Sequence, residues 1–413
     1  MAKKRRIRKE IKYLFVVVLI ITAVSAVTFG GKYIRFMDVK SVNSDAKKII
    51  NNHCLAFYPD GSNKDMKKTA EKLCDGVSDD SVFDYQKTVM GEYILIDYGN
   101  GTSYLLDSDM QNPKPGEISE RGMMIISDYL RYTMKSNGLD YAYTLSFLEK
   151  SYYENIEKDS FKCTLKGMEY ACHFDEYDVD VNIPLKYIGN EIGIDIKDDS
   201  KYIKPVFVDP DRKAVAITFD DGPSLNDECT NKILDELYRY DANATFYLLG
   251  NRLYDKTEGI ISKGIEMGNE YGSHSCTHPN LRSLTKDEMY SEIMDVSDWL
   301  YNKFGYHMNT YRPPYGKYNE TVDETIPVAA VLWDVDSNDW SYRDGQKIYD
   351  EVKKDVFNHA VIIMHDIYDT TSQALVDHGL IKELINDGYQ LVTVDEIAKL
   401  RNVELKQGIH LCW

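Results

Sequence analysis

Asp220 and Asp221 stand side by side in TFDDGP, residues 218–223, directly after the apolar run KAVAI. Consecutive side chains of a strand point to opposite faces, so adjacent carboxylates there can carry different tasks, one accepting a proton and one holding a cation. The same text also suits an ordinary capping turn, since Asp and Gly dominate turns. His274 and His278 frame HSCTH, and at i and i+4 two imidazoles share a helical face and can chelate one metal. A carboxylate from another strand would complete a two-His, one-carboxylate set that leaves positions open for water and substrate. Cys276, at i+2, points away from that face.

Three further clusters follow, each after an apolar strand-like run: YRPPYG at 311–316, DSNDW at 336–340 and IIMHD at 362–366. Two consecutive prolines fix φ and hold the next amide, on Tyr315, in a rigid position suited to an oxyanion. Arg312 can pair with a carboxylate and tune its proton affinity. His365 leaves a very apolar run, where burial and a neighbouring carboxylate set an imidazole for acid catalysis. Taken singly, each cluster also has a plain structural reading: a rigid turn, a Trp-lined loop, a histidine at the edge of a core.

Elements that alternate in type must position these clusters. From residue 205 onward, strand-like runs (KAVAITF, ATFYLL, NEYGSH, VAAVLWDVD, AVIIMHD, YQLVTV) alternate with helical text such as KDEMYSEIMDVSDWLYNKF and SQALVDHGLIKELIND. Such a beat specifies parallel strands with right-handed crossovers, and about seven units can close into a β/α barrel. Residues 82–204 mix short strands (GEYILIDYG, TSYLLDS, KYIGNEIGIDI) with the helical stretch RGMMIISDYLRYTMKS, which predicts a small α+β accessory domain. Residues 32–81 read as a polar spacer with one short helix, and residues 401–413 as a C-terminal tail.

In the order TFDDGP, HSCTH, RPPYG, DSNDW and IIMHD, residues 213–400 resemble the polysaccharide deacetylases, the NodB-like domain of carbohydrate esterase family four. Among these, the chain resembles membrane-anchored peptidoglycan N-acetylglucosamine deacetylases. The resemblance implies a distorted (β/α) barrel of about seven units and a metal-dependent hydrolase that removes N-acetyl groups from a polysaccharide. It also implies roles. Asp220 is the base, Asp221, His274 and His278 hold a divalent metal (Zn²⁺, with Co²⁺, Mn²⁺ or Ni²⁺ as alternatives), and Arg312 tunes the base. The Tyr315 amide binds the oxyanion, Trp340 and Ile363 with Tyr315 line the sugar groove, and His365 is the acid, oriented by Asp339. Cys276 stands where many members carry a bulkier residue, and Asp336 adds an acid before the usual one.

The chain has 413 residues, 43% apolar and 28% charged, which excludes a wholly disordered or polytopic membrane protein. Its net charge is −18 although the first twelve residues carry seven Lys or Arg against Glu10, so the acidic body excludes the basic face of a nucleic-acid binder. Behind that basic tail (1–12), residues 13–31 contain no charge, long enough to cross a bilayer. The positive-inside rule then places everything beyond as extracytoplasmic on a single-pass cell-membrane anchor, or secreted if the segment is a cleaved signal. Export permits disulfides among the seven cysteines: Cys163 with Cys172 across a hairpin turned at Gly167, Cys54 with Cys74 more loosely, or none. Peptidoglycan is the expected polysaccharide, with chitin oligomers, an exopolysaccharide or O-acetyl xylan as alternatives. A glycan-binding module without catalysis and a non-haem iron oxygenase are the competing classes.

Overall fold

The computed structural model describes residues 41–412 except 42, 44–45, 52–53, 60–63, 75–80, 91, 99–102, 108–112, 139–160, 167, 176–177, 225–228 and 409. The basic tail and the apolar segment 13–31 lie outside the described residues, among which no helix is long and apolar enough to cross a membrane. The chain divides into two compact units, one comprising the residues up to Gly122 with Lys162–His173 and Asn182–Ser200, the other Met123–Phe161, Phe174–Val181 and Lys201–Trp413.

In the first unit, the expected short helix is Lys64–Leu73, but the residues around it, expected to form a spacer, supply strands Ala46–Asn51 and Cys54–Pro59, paired antiparallel. Short apolar runs such as CLAFYP give that stretch enough to bury, with Ala56, Phe57, Ala70 and Cys74 all buried. Strands Gln86–Met90, Tyr93–Asp97 and Ser103–Leu106 form an antiparallel meander. KYIGNEIGIDI, read as a strand, is instead helix Leu185–Ile188 followed by a 3-10 turn, Gly189–Ile192. Cys163 and Cys172 are disulfide-bonded, as expected, and Cys74 is also bonded; Cys229, Cys276 and Cys412 are free.

The second unit is built on nine strands: β1 (Ala214–Gly222), β2 (Thr245–Leu248), β3 (Glu270–Ser273), β4 (Thr310–Tyr311), β5 (Ala329–Val331), β6 (Val335–Asp336), β7 (Val361–His365), β8 (Gln390–Leu391) and β9 (His410–Leu411). Their order is β6-β7-β1-β2-β3-β4-β5-β9, with β8 beside the start of β1, and every pairing is parallel. The segment expected as a tail thus joins the sheet, because its apolar Leu411 buries beside Val331.

Connectivity dictates a curled sheet. β5 and β6 lie six strand spacings apart along the sheet, about 29 Å if flat at ~4.8 Å each. Only Leu332, Trp333 and Asp334 join them, a span of at most about 14 Å. The sheet must bend round, as in a distorted β/α barrel. VAAVLWDVD, read as one strand, is therefore two, broken at this seam.

Along β1 the pleat sorts residues by face. Val215, Ile217 and Phe219 pack beneath helices such as Cys229–Arg239 and Leu380–Asn386, with Phe219, Phe246 and Tyr271 stacked at centroid distances of 4.9 and 5.5 Å. Ala214 and Ala216 pack with Tyr247 and Val361 in a separate cluster. The alternate residues Thr218 and Asp220 are buried polar groups at the carboxyl end of the strand, where parallel α/β sheets carry their sites.

Helix Glu120–Ser136 adds a buried polar network within this unit. Asp128 accepts from the hydroxyls of Tyr202 and Tyr238, each at 2.8 Å. Lys135 and Lys204 both pair with Asp241 at 2.6 Å. A domain boundary at residues 204/205 therefore cuts through a unit whose buried ion pairs lie on both sides of it.

Candidate active site

Arg312 organises the mouth of the barrel. It is fully buried, and its Nη1 donates to Asp220 Oδ1 at 2.8 Å and Thr218 Oγ1 at 2.7 Å. Nε and Nη2 donate to the carbonyls of Val331 and Leu332 at 3.0 and 2.8 Å, and the guanidinium lies 4.4 Å from the centroid of Tyr247. The seam between β5 and β6 turns two carbonyls toward this cation. Burial alone would raise the Asp220 carboxyl, but Arg312, with His274 and His365, outweighs it and holds Asp220 below the usual carboxylate range.

HSCTH is a loop, not the helical face expected from its i, i+4 spacing. Pro279 disfavours helix at His278, and Ser275 and His278 both take left-handed φ values, 69° and 60°. The Ser275 hydroxyl accepts from the His278 amide at 2.9 Å and closes the turn. The histidines still converge, with ring centroids 4.9 Å apart. His274 Nδ1 lies 2.9 Å from the Arg312 carbonyl. A carbonyl only accepts, so the proton sits on Nδ1 and Nε2 presents a lone pair to Asp220 Oδ2 (3.6 Å) and Asp221 Oδ1 (3.8 Å).

His278 Nε2 is likewise 3.8 Å from Asp221 Oδ1, and burial, then His274, lowers its pKa and favours the neutral ligand form. Asp221 Oδ1 is buried and accepts no hydrogen bond. A buried carboxylate oxygen with no donor, facing two imidazoles whose ligand atoms lie within 4.8 Å of it and of one another, fits a divalent cation.

The second half of the site is His365, cross-strand partner of Asp220. Its Nδ1 lies 2.8 Å from Asp339 Oδ1, and its amide donates to Asp339 Oδ2 at 2.7 Å. Thr371 donates to the same oxygen at 2.7 Å. Burial would lower the His365 pKa, but the hydrogen bond and charge of Asp339, then Asp220 and Asp221, push it up to about 9. Tyr315, at φ 61°, sets its ring edge-on to His278 at 4.5 Å and is 59% exposed; Trp340 is 52% exposed. Ile363 is nearly buried between Thr218 and Asp336, so it offers a groove little surface.

A model of the polysaccharide deacetylase family matches residues 207–329. A peptidoglycan-N-acetylmuramic acid deacetylase of Bacillus subtilis, PdaC, is 40% identical over 194 residues, 47% of this chain and 40% of the relative, so the chain spans two fifths of that protein's length. A peptidoglycan-N-acetylglucosamine deacetylase of Bacillus cereus is 32% identical over 232 residues, 52% of this chain and 82% of the relative. The chain belongs to the polysaccharide deacetylases. The solved structure of the Bacillus subtilis PdaC deacetylase aligns with 47% of this chain and 94% of its own at 38% identity and a TM-score of 0.45.

In this chain, the ten residues singled out by sequence fall into one candidate metal-binding trio, one Arg–Asp pair, one His–Asp pair and the three expected wall residues Tyr315, Trp340 and Ile363. Sequence reasoning gave no role to several supports, two of which, Thr218 and Asp366, stand inside its own motifs. Asp366 is buried beneath Gly222, where an added Cβ would collide with its carboxylate. Its Oδ2 accepts from Thr230 at 2.7 Å, and Thr230 Oγ1 accepts from the Ser224 amide at 2.8 Å, which anchors the end of the Asp-Asp turn. Thr371, Thr218 and Glu292 were also missed. Asp366 had a signal, an acid directly after an apolar strand and the proposed acid, and Thr218 opens TFDDGP; Thr371 and Glu292 had none.

Proposed function

We propose that this chain hydrolyses N-acetyl groups on a cell-surface polysaccharide, most plainly the N-acetylglucosamine of peptidoglycan. The observation that carries the reading is the pairing of Asp220, ionised beside Arg312, with His365, protonated beside Asp339, on adjacent strands facing the Asp221–His274–His278 trio. A divalent metal held by that trio would polarise the acetyl carbonyl and acidify water.

Arg312 occupies Asp220 Oδ1, which leaves Oδ2, on the side of the trio, to take the proton of the attacking water. As water adds to the acetyl carbon, the Tyr315 amide donates to the carbonyl oxygen, a contact worth about 3 kcal/mol when comparable to other oxyanion donors. Asp339 holds the Nδ1 side of His365, so Nε2 gives its proton to the amide nitrogen as the C–N bond breaks. Acetate and a free amine leave. The names of the relatives support peptidoglycan, and the uncharged segment 13–31 behind its basic tail supports an anchored, outward-facing barrel.

One observation favours N-acetylmuramic acid as a second reading. Lys317 lies 5.3 Å from the centroid of Tyr315, which packs on His278, and Arg343 lies 5.5 Å from that of Tyr368, which is 5.7 Å from His365. Both cations are exposed, and neither has a carboxylate within 4 Å among the described residues. Two uncompensated cations on aromatics that touch the site histidines suit a sugar bearing a carboxylate.

Acetate release by the full chain from peptidoglycan and from N-acetylglucosamine oligomers, with chelator and with metal restored, tests the proposal. Release that needs metal and is lost in Asp220→Asn is expected. A folded, metal-loaded chain that binds glycan and releases no acetate overturns catalysis in favour of the binding module.

A further inference from the structure

Glu292 lies on the helix Lys286–Phe304 and belongs to none of the motifs. Its carboxylate closes on two of the three residues between the two histidines, Cys276 and Thr277. Oε2 accepts from the amides of Cys276 (2.9 Å) and Thr277 (2.8 Å), and Oε1 accepts from Thr277 Oγ1 (2.8 Å). No cation lies within 4 Å of it among the described residues, so its bonded acceptor capacity goes to this loop. From the opposite side, Ser275 and Cys276 carbonyls accept from the amides of Gly250 and Asn251 at 3.0 and 2.9 Å. Gly250 permits that approach, since a Cβ there would come within 2.7 Å of Cys276 Sγ.

We infer that Glu292 is a positioning residue that sets the affinity of the Asp221–His274–His278 group for its metal. The inference rests on the metal reading above. His274 is fixed without Glu292, its amide bonded to the Leu248 carbonyl at 2.8 Å and its Nδ1 to Arg312. His278 is not. It is reached through Ser275 and His278 itself, both left-handed, a conformation that non-glycine residues hold only when their surroundings impose it. Charge-assisted hydrogen bonds to a carboxylate are the strong kind, and here three of them impose it. Removing the carboxylate frees the loop to relax and carries one of the three ligands out of register.

The test is metal affinity, read on the full chain without any turnover. Zn²⁺ dissociation constants come from competition with a chromophoric chelator, and the visible spectrum of the Co²⁺-loaded chain reports the ligand set. Outer-sphere substitutions at metal sites weaken binding by about 10–100-fold, and Glu292→Ala is expected in that range, with a changed Co²⁺ spectrum. Thr277→Val removes one of the three bonds and is expected to lose less. Glu292→Gln keeps one acceptor oxygen and is expected between wild type and Ala. The melting temperature of the metal-free chain should move little, whereas a merely structural role would lower it and leave the constant of the folded chain unchanged.

Asp298→Ala on the same helix controls for lost charge and is expected to bind as wild type. Glu292→Ala within twofold of wild type overturns the inference; if that variant fails to fold, unchanged constants for Glu292→Gln and Thr277→Val overturn it. A wild-type chain that binds no divalent metal overturns the metal reading and the inference with it, a result distinct from tight binding that Glu292 does not affect.

Discussion

Replacing Arg312 by Met removes the charge and keeps most of the stem. Asp220, with 3% of its side chain exposed, is left as a buried carboxylate without its cation, and Thr218 Oγ1 and two seam carbonyls lose a donor. Breaking a buried pair from one side costs about 3–5 kcal/mol, and the orphaned acceptors share the same site, so their losses do not simply add. For a unit of this size each kcal/mol lowers the melting temperature by about 2–4 °C, which gives a loss of roughly 6–20 °C. The pH dependence carries the sharper signature. In the wild type the Asp220 pKa is depressed, so its stabilisation is present above the unfolded carboxylate range and disappears as pH falls through the lower folded value. In the variant, burial opposes ionisation and only His274 and His365 resist it, so the pKa rises and acidification relieves the penalty. Thermal unfolding of both chains from pH 8 to pH 4, with chelator present, should therefore show a gap that narrows toward low pH. A gap below about 3 °C at neutral pH, or one that widens on acidification, refutes the assignment of Arg312 as counter-ion.

Two further outcomes follow from other buried pairs. His365 titrates near 9, so its imidazolium stabilises the fold fully below the ordinary histidine value and loses that contribution as pH rises through about 9. Asp339→Asn should move the alkaline limb of kcat/KM to lower pH, and NMR titration of His365 that stays near 9 would refute the role of Asp339. A chain starting at residue 205 loses Lys135 and Lys204, the two cations that overcome burial to hold Asp241 well below the usual carboxylate range. It should be less stable than one starting at residue 120 by about 3–5 kcal/mol in denaturant unfolding, and equal stability would refute the network.

The site was legible because its chemistry fixes residue types at the ends of strands: paired acids, paired histidines, an Arg before two prolines, an acid before Trp, a His after an apolar run. The β/α alternation was legible for the same reason that hydrophobic periodicity is, since strands such as β1 bury one face under helices. What was not legible came from contacts over long separations. The i, i+4 histidines suggested a helix because spacing does not reveal the left-handed turns at Ser275 and His278. VAAVLWDVD scanned as one strand because nothing local shows Arg312 drawing its carbonyls out of the sheet. Residues 372–387 scanned as one helix, yet Gly379 at φ 71° breaks it before Leu380–Asn386. Glu292, Thr371 and Asp128 act through partners 15, 32 and 110 residues away, and no motif window spans such pairs.

The seam of the curled sheet and the counter-ion of the proposed base are a single object. Leu332, Trp333 and Asp334 are all that lie between β5 and β6, and the guanidinium that binds the Val331 and Leu332 carbonyls is the one that keeps Asp220 ionised. A thermal fluctuation that parts this seam withdraws the positive charge from the proton acceptor in the same motion. The curled sheet thus ties its own connection to the charge of Asp220: the proposed base keeps its counter-ion only while that connection holds.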